Sequence, residues 1–541
     1  MSPLQSEPQP FPHNFATVSR TAKAHQSSQP IPSIDDALDP PHPLGNPIRC
    51  MGSVENITER SPLLQQNHST PRTHEPVNDV FQVGSKGKIQ SSQIYWEELG
   101  ILSRYTLPIF ATQIFEYSFS AMSVVVIGHL STVHLAAATL GMMTASVTGY
   151  SIIQGITSAL DTLLPPAWTS ETPHMVGLWS QRMIVMTALI LIPIHFVWFY
   201  SEPILLALKQ DPEVAHLAAV YLRYASLGLP AYSFNCISRR YFQCQGLFVV
   251  PARIIAVVAP LNAFLNWFFV YSLGFSFRGA PIATALSFNI VSLASILYAY
   301  FFVPRAAWIP IGRGVWQGWG VLGRLGIAGI GQTASEWWTW ELIGLATSFL
   351  GRVPLAAQSV LLVTTAFLFQ APFSLSIATS VRIGNLLGEG KARRAKIVAH
   401  TSIVVAVAIG CIWSITLLVF RKRWAYLFND DPDVVLLVTS ILPIPALFQV
   451  FDMTTTVAGG ILRARGMQGV GALVTLSAYY IIGIPLGLIL TFYFNLHLTG
   501  LWTGLTAALV YSAGVSVWTG VVQADWEVEG KRAQARVESN A

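Results

Sequence analysis

Charged side chains are scarce in this chain. Only 11% of its 541 residues are Asp, Glu, Lys or Arg, whereas 52% are hydrophobic. A soluble globular protein carries roughly a quarter charged residues, so this chain has too few of them to cover the surface of a water-soluble protein of its size. The composition therefore excludes a soluble multidomain enzyme, and it also excludes a fibrous or wholly disordered chain.

Other absences narrow the class further. The four cysteines, Cys50, Cys236, Cys244 and Cys411, are too scattered for a disulfide framework, and none forms a CxxC metal pair. The net charge of +5 is not gathered into a basic stripe, so a nucleic-acid partner is not expected. The apolar segments contain no His-Glu-x-x-His or Gly-x-Ser-x-Gly motif, which argues against an intramembrane enzyme.

Residues 1–90 differ from the rest of the chain. They are rich in Pro, Ser, Gln and His and have no apolar periodicity, which predicts a disordered tail in the cytosol. No charged start followed by an apolar run is present, so a signal peptide is not expected. Three residues separate Glu59 from the pair Leu63 and Leu64, which resembles an acidic dileucine sorting signal. Such a signal would route the chain to a vacuolar membrane, and the plasma membrane is the alternative.

Twelve apolar segments follow the tail. A bilayer core about 30 Å thick needs about 20 apolar residues of helix, and irregular backbone in lipid would leave polar groups unpaired. The predicted helices are 104–128, 134–162, 181–200, 214–238, 249–273, 280–303, 324–350, 355–380, 396–419, 433–460, 468–494 and 499–522. This predicts an all-α polytopic membrane protein with an N-lobe over residues 91–310, a C-lobe over 311–525 and a cytosolic C-terminal tail over 526–541.

The two halves of the membrane region repeat each other. Residues 210–214 read Gln-Asp-Pro-Glu-Val before the fourth helix, and residues 430–434 read Asp-Asp-Pro-Asp-Val before the tenth. Gly128 with a following Leu-Ala-Ala recurs as Gly351 with the same tripeptide. Two motifs that repeat six helices apart predict two six-helix lobes related by a pseudo-two-fold axis along the membrane normal. Substrate is expected to bind near mid-membrane in such transporters.

The positions of Lys and Arg predict the orientation. They are concentrated in the loops that follow even-numbered helices, and Arg239, Arg240, Arg463 and Arg465 are assigned to these loops. Because positive residues stay inside, both termini are expected in the cytosol. The run over residues 421–423 is the one exception.

Ionisable residues inside the predicted helices are costly and therefore candidates for function. They are Glu116 and Asp161 in the first lobe and Glu336, Glu341 and Asp452 in the second. A spacing of five residues places Glu336 and Glu341 about 140° apart on their helix, so they cannot share one proton directly. Desolvation favours the protonated form of a carboxyl group, which suits such groups to the exchange of a proton for a cation.

Three tryptophans, Trp337, Trp338 and Trp340, lie between the two glutamates of the seventh helix. Aromatic faces attract organic cations, so a carboxylate with an aromatic wall suits an amphipathic cation. The same pattern also fits tryptophans packed in lipid or in a core, with Glu336 making a structural hydrogen bond. The pattern alone leaves both interpretations open.

Residues 336–341, Glu-Trp-Trp-Thr-Trp-Glu, resemble the helix 7 element of the multidrug and toxic compound extrusion (MATE) family, in its eukaryotic, fungal-type branch. The resemblance extends in the right order over about 420 residues. Further matching motifs lie at residues 128–130, 148–149, 158–163, 181–182, 380–390, 460–468 and 479–485.

The resemblance implies a twelve-helix antiporter, not an enzyme, that exports organic cations and xenobiotics without a cofactor. It implies coupling to protons rather than sodium, a monomer in the lipid bilayer, and a small amphipathic or cationic substrate. By position, Glu336, Glu341 and Asp452 correspond to the acidic cavity of the second lobe, whereas the role of Glu116 rests only on its place in the membrane. The remaining expectations are aromatic cavity walls at Trp337, Trp338, Tyr479 and Tyr480, and gate or structural roles for Arg382, Asn385 and Asp161.

The sequence departs from the family pattern in two places. Pro165 and Pro166 replace a Gly-Gln-Ala run, and they are predicted to end the second helix because neither can donate a backbone hydrogen bond. An Asn near Thr475 is also missing. The alternative function is a flippase for lipids or lipid-linked precursors from the same superfamily, in which a cavity charged by arginines is usual.

Overall fold

All twelve predicted membrane helices occur in the structure, a computed structural model in which residues 85–428 and 430–539 are described. The first six are α1 (Ser85–Gly128), α2 (Thr132–Trp168), α3 (Met175–Phe199), α4 (Pro212–Ala225 and Leu229–Cys244), α5 (Val249–Ser272) and α6 (Gly279–Phe302). The second six are α7 (Trp319–Ser348), α8 (Arg352–Gly388), α9 (Ala392–Trp424), α10 (Pro432–Ile441 and Pro443–Ala464), α11 (Gln468–Tyr493) and α12 (His497–Val522). The Glu59 signal lies outside the described residues, as does the predicted tail up to residue 84.

Most of these helices are apolar enough to cross a membrane. Within the described residues nine pass on length and composition, and the bent pair that forms α10 makes ten. The other two are α4, which is interrupted by a 3-10 turn at Ser226–Gly228, and α7, which carries Gln332, Glu336 and Glu341. Polar side chains are tolerated in such helices where they face a cavity instead of lipid.

Two apolar cores divide the helices into two lobes. Phe119, Trp198 and Phe288 are buried in the core of the first lobe, α1–α6. Phe448 and Trp502 lie in the core of the second lobe, α7–α12. In lipid such cores are held by van der Waals packing more than by the expulsion of water. The predicted lobe boundary at residue 310 falls in the linker between α6 and α7.

Successive helices run in opposite directions, so the loops fall on two faces. We call the face that carries the start of α1 the terminal face, and the opposite one the distal face. Near the terminal face α2 and α7 meet backbone to backbone. A Cβ atom on Gly155 would lie 2.5 Å from the Cα atom of Ile330, and one on Gly329 would collide with the carbonyl oxygen of Gly155. Only glycine fits this crossing of the two lobes.

The predicted end of α2 at its two prolines is wrong, because the helix continues through both to Trp168. The chain has already tightened before them, where the Asp161 amide donates to the carbonyl of Ser158 at 3.0 Å. Both proline rings are buried against α8, and a Cβ atom on Gly384 would lie 2.7 Å from the Cβ of Pro165. This packing between the lobes compensates for the lost hydrogen bonds.

The C-terminal segment, predicted as a cytosolic tail, is largely helical. Residues Trp526–Glu538 form a helix, α13, which Asp525 caps by accepting from the amide of Glu527 at 3.2 Å. Trp526 is buried, and the buried Glu529 pairs with Arg465 at 3.2 Å. The segment is therefore docked on the terminal face.

A buried ion pair ties α8 to α1 at the same face. Arg382 donates two hydrogen bonds, of 2.7 and 2.8 Å, to the carboxylate of Glu98, which has no exposed surface. Arg394 of α9 adds a third contact to Glu98 at 2.9 Å. Two parallel bonds between a guanidinium and a carboxylate are strong and directional, so Arg382 joins the two lobes at this face.

The variant Arg382→Leu is expected to destabilise the protein by about 3–5 kcal/mol, because it leaves a buried carboxylate without its main partner. Thermal unfolding in detergent measures the loss as a lowered Tm. Arg393→Leu serves as the control, since Arg393 is exposed in the first turn of α9. Equal Tm values for the two variants would contradict the assignment.

Candidate functional site

A cavity of about 430 Å³ lies between the lobes. Helices α1, α2, α4 and α6 line it from the first lobe, and α7, α8, α10 and α11 line it from the second. Its charged lining residues are Glu116, Asp161, Arg240, Glu336, Asp452 and Arg463. Four carboxylates and two guanidiniums leave the lining with an excess of negative charge.

The second lobe contributes two carboxylates that lack a direct partner. Glu336 on α7 and Asp452 on α10 line the same cavity, where their like charges repel one another. Neither makes a hydrogen bond or a close ion pair with any residue in the described part of the chain. The buried Tyr479 of α11 lines the cavity beside them. Two unpartnered carboxylates in a polar cavity are able to bind a proton or a cation.

The structure does not bring Glu341 into this group. Glu341 is half-buried on α7 and does not line the cavity. The helical spacing explains the separation, since residues five apart point in different directions.

The tryptophans of α7 divide among three environments. Trp337 lines the cavity. Trp338 is exposed, and its Nε1 donates to the carbonyl of Val147 on α2 at 3.1 Å. Trp340 packs against Phe448, with ring centroids 5.8 Å apart, in the core of the second lobe. Only one of the three therefore fits the interpretation as an aromatic cavity wall.

Tyr480, also predicted to be a cavity aromatic, does not line the cavity. Its hydroxyl donates to the carbonyl of Ser335 at 3.2 Å and so ties α11 to α7.

The carboxylates of the first lobe are paired with arginines. Glu116 on α1 forms an ion pair with Arg239 of α4, which also donates to Gln113 at 3.4 Å. Asp161 on α2 accepts from Arg240 of α4 at 2.8 Å and lies 3.3 Å from Arg463 of α10. Glu116 thus carries a balanced charge, whereas Asp161 bridges the two lobes.

Arg382 and Asn385 lie outside the cavity, in the contacts that close the terminal face. The Asn385 side chain donates to the carbonyl of Cys244 at 3.4 Å, and the Asn385 carbonyl accepts from Thr169 of α2 at 2.9 Å. Both residues of α8 therefore contact the first lobe.

Sequence reasoning missed three arginines of this region, of which Arg240 and Arg463 line the cavity and Arg239 pairs with Glu116. Arg239 and Arg240 were assigned to a loop, but they belong to the helix Leu229–Cys244. Arg463 likewise lies inside the helix Pro443–Ala464. The signal was present in Gly246 and Gly466, which have φ of 80° and 73°. Glycine with positive φ marks the end of a helix, so helix ends placed at these glycines would have kept the arginines inside.

Two six-helix lobes around a charged cavity define the architecture of a secondary transporter. The MatE family model matches residues 108–268 and 330–489, one copy in each lobe. An uncharacterised transporter of Schizosaccharomyces pombe is 38% identical over 481 residues, covering 86% of this chain and 89% of that protein. Human multidrug and toxin extrusion protein 1 is 32% identical, covering 81% of this chain and 77% of that protein.

A solved structure shows the same fold. The crystal structure of the eukaryotic MATE transporter AtDTX14 superposes with a TM-score of 0.78 at 28% identity, covering 82% of this chain and 100% of that one. The chain therefore belongs to the MATE family, and it is a transporter that spans the membrane many times. The resemblance found in the sequence is confirmed, and so is the fold of twelve helices in two lobes.

A cysteine placed at Ser146, which lines the cavity, is expected to react quickly with a charged thiol reagent. Cys411 provides an internal control, because it is exposed on α9 outside the cavity, where the reagent would have to enter lipid. A charge in lipid costs about 2.5–3.5 kcal/mol, so Cys411 is expected to react on the order of 100-fold more slowly. The test uses a Cys50→Ser background and mass spectrometry. Equal rates at the two positions would show that the cavity is not aqueous.

Proposed function

We propose that this transporter exports amphipathic organic cations, among them xenobiotics and toxic metabolites, in exchange for protons. The observation that carries the proposal is the pair of carboxylates, Glu336 and Asp452, which face the cavity without a direct partner. Two like charges held together in a confined cavity are unfavourable. A proton or a bound cation relieves this repulsion.

Competition between the proton and the cation gives antiport. Because either the proton or the cation can neutralise the site, binding of one displaces the other, and the two occupy the site in turn. A bound proton or cation changes the preferred arrangement of the lobes only when it binds one arrangement more tightly. A site built from both lobes meets this condition, because its lining separates when the lobes move.

The aromatic lining favours organic cations over small metal ions. Trp337 and Tyr479 line the cavity beside the two carboxylates, and an aromatic face attracts a cation by about 0.5–2 kcal/mol. The human relative is named for the extrusion of multiple drugs and toxins, which agrees with a broad substrate range. Glu116 takes no part in the exchange, since Arg239 already balances its charge.

We place the terminal face in the cytosol, with both termini inside, in a vacuolar or plasma membrane. The exposed cations Arg253, Lys391, Arg393 and Lys396 lie in or next to loops of this face, as expected for the cytosolic side. The contacts between lobes near this face then close the cavity toward the cytosol.

The transporter is proposed to work as a monomer, since one chain supplies the whole cavity lining.

One observation favours the alternative of a lipid flippase, namely the arginines Arg240 and Arg463 in the cavity. Both of them, however, contact Asp161. Their charges are thus partly neutralised, and negative charge remains in excess at Glu336 and Asp452. An anionic lipid headgroup would meet that excess, so we favour the cation exporter.

Glu336→Gln is expected to reduce proton-driven transport to the level of protein-free vesicles, because the site can no longer exchange a proton. The measurement is uptake of a fluorescent organic cation into sealed proteoliposomes under an imposed pH gradient, with a sodium gradient as a separate arm. Glu213→Gln, an exposed carboxylate at the start of α4, is the matched control and should transport normally. Glu341→Gln is expected to lose less activity than Glu336→Gln.

Transport driven by sodium alone would overturn the assignment of the coupling ion. A Glu336→Gln variant with wild-type uptake would remove Glu336 from the mechanism. Size-exclusion chromatography shows whether each variant is folded.

Trp337→Ala is expected to weaken binding of an aromatic cation by roughly tenfold, since it removes a cation–π contact worth on the order of 1.4 kcal/mol. Trp338→Ala, on the neighbouring position outside the cavity, is the control and should bind normally. Isothermal titration in detergent gives both affinities. An equal loss in the two variants would mean that the effect comes from packing and not from the cavity wall.

A further inference from the structure

Arg463 occupies an unusual position between the two lobes. It belongs to α10 of the second lobe and lines the cavity. Its Nε lies 3.3 Å from the carboxylate of Asp161 on α2 of the first lobe. Arg463 therefore makes the ion pair between the lobes that lies nearest to the transport cavity.

The backbone beneath Arg463 is fixed to the first lobe as well. The hydroxyl of Thr162 donates to the Arg463 carbonyl at 2.5 Å, and Gln468 donates to that same hydroxyl at 2.8 Å. These bonds join α2 to the end of α10 and the start of α11. Movement of the lobes at the terminal face must break them together with the ion pair.

One donor of the Arg463 guanidinium lacks a well-aligned partner. Its Nη2 donates to the hydroxyl of Ser376 at 2.8 Å, but its Nε is buried and makes no hydrogen bond of good geometry, although Asp161 is near. A buried donor without a well-aligned acceptor carries an energetic cost. A shift of the Arg463 guanidinium toward a better-aligned acceptor would therefore lower its free energy.

The second partner available to Arg463 is Glu336. A Cβ atom on Gly459 would lie 2.7 Å from Nε2 of Gln332 and 3.6 Å from Nη1 of Arg463, so both side chains converge on this glycine. Gln332 precedes Glu336 by four residues and shares its helix face. Arg463 and Glu336 line the same cavity, where their opposite charges attract each other. Arg463 therefore stands between a carboxylate of the transport site and a carboxylate of the opposite lobe.

We propose that Arg463 is a positioning residue that couples the charge of Glu336 to the closure of the terminal face. This inference rests on the proposed function, because it assigns a consequence to the neutralisation of Glu336. With Glu336 ionised, Arg463 divides its attraction between Glu336 and Asp161, and the ion pair between the lobes is weakened. With Glu336 neutralised by a proton or an organic cation, Arg463 pairs fully with Asp161, and the closed arrangement of the terminal face is favoured over the open one.

Other charged groups surround the same centre. Asp452 on α10 repels Glu336, and Tyr479 on α11 lies beside it. Across the cavity lie Asp161 on α2 and Arg240 on α4, with Glu116 on α1. Arg240 contacts Asp161 within the first lobe, so it stabilises that carboxylate without linking the lobes. Arg240 is therefore the natural control for Arg463.

The test measures opening of the terminal face by pulsed electron paramagnetic resonance. Spin labels are attached to cysteines at Glu171 in the first lobe and Arg393 in the second, both exposed near this face, in a background without Cys50 and Cys411. The wild-type ratio of open to closed molecules is expected to rise by roughly 5- to 150-fold from about pH 5 to about pH 8, the usual range of coupling between sites. Glu336→Gln should stay closed over the whole range.

Arg463→Gln is expected to abolish the pH dependence of opening, Arg463→Lys to restore part of it, and Arg240→Gln to retain it. An Arg463→Gln variant that opens with the wild-type pH profile would overturn the role of Arg463 while leaving the proposed function intact. A wild-type profile that is flat and unaffected by Glu336→Gln would overturn the proposed function and the coupling together. Transport by the same variants distinguishes a loss of coupling from a loss of folding.

Discussion

The cost of an unpaired charge inside the membrane governs this structure. A charged side chain in lipid costs several kcal/mol unless it is paired or faces water, and several buried ionisable groups within the described helices satisfy that condition by pairing. Glu98 pairs with Arg382, Glu116 with Arg239, and Asp161 with Arg240 and Arg463. Glu336 and Asp452 stand apart, because they face the cavity without a direct partner. The fold thus contains two kinds of charged group: ion pairs that stabilise contacts within and between the lobes, and unpaired carboxylates that remain available to bind a proton or a cation.

The paired charges also determine where the lobes touch. The pairs of Glu98 and Asp161 both cross from one lobe to the other, and both lie near the terminal face. The close approach at Gly155 and the burial of Pro165 lie on the same side. Buried ion pairs contribute little net stability but are costly to break one-sidedly. Ion pairs between the lobes therefore specify the closed arrangement without making it too stable to open.

Much of this fold could be predicted from the sequence, because lipid imposes helices of about 20 apolar residues and the MATE motifs follow one another in order. Placement of side chains around a helix was harder. Glu336 and Trp337 face the cavity, whereas Glu341 and Trp338 do not, and this difference depends on packing between helices. The arginines of α4 and α10 were misplaced because positive charge near a helix end suggests a loop. Pro165 and Pro166 continue a helix where glycines of the opposite lobe leave room for them.

We propose that a proton and an organic cation compete for the same carboxylates. The decisive measurement is proton release on cation binding, with purified protein in a weakly buffered solution and a pH indicator. About one proton per bound cation is expected at a pH where the site is protonated, and the release should decline as the pH rises and the site ionises. Saturating cation binding with no proton release at any pH would show that the two do not compete.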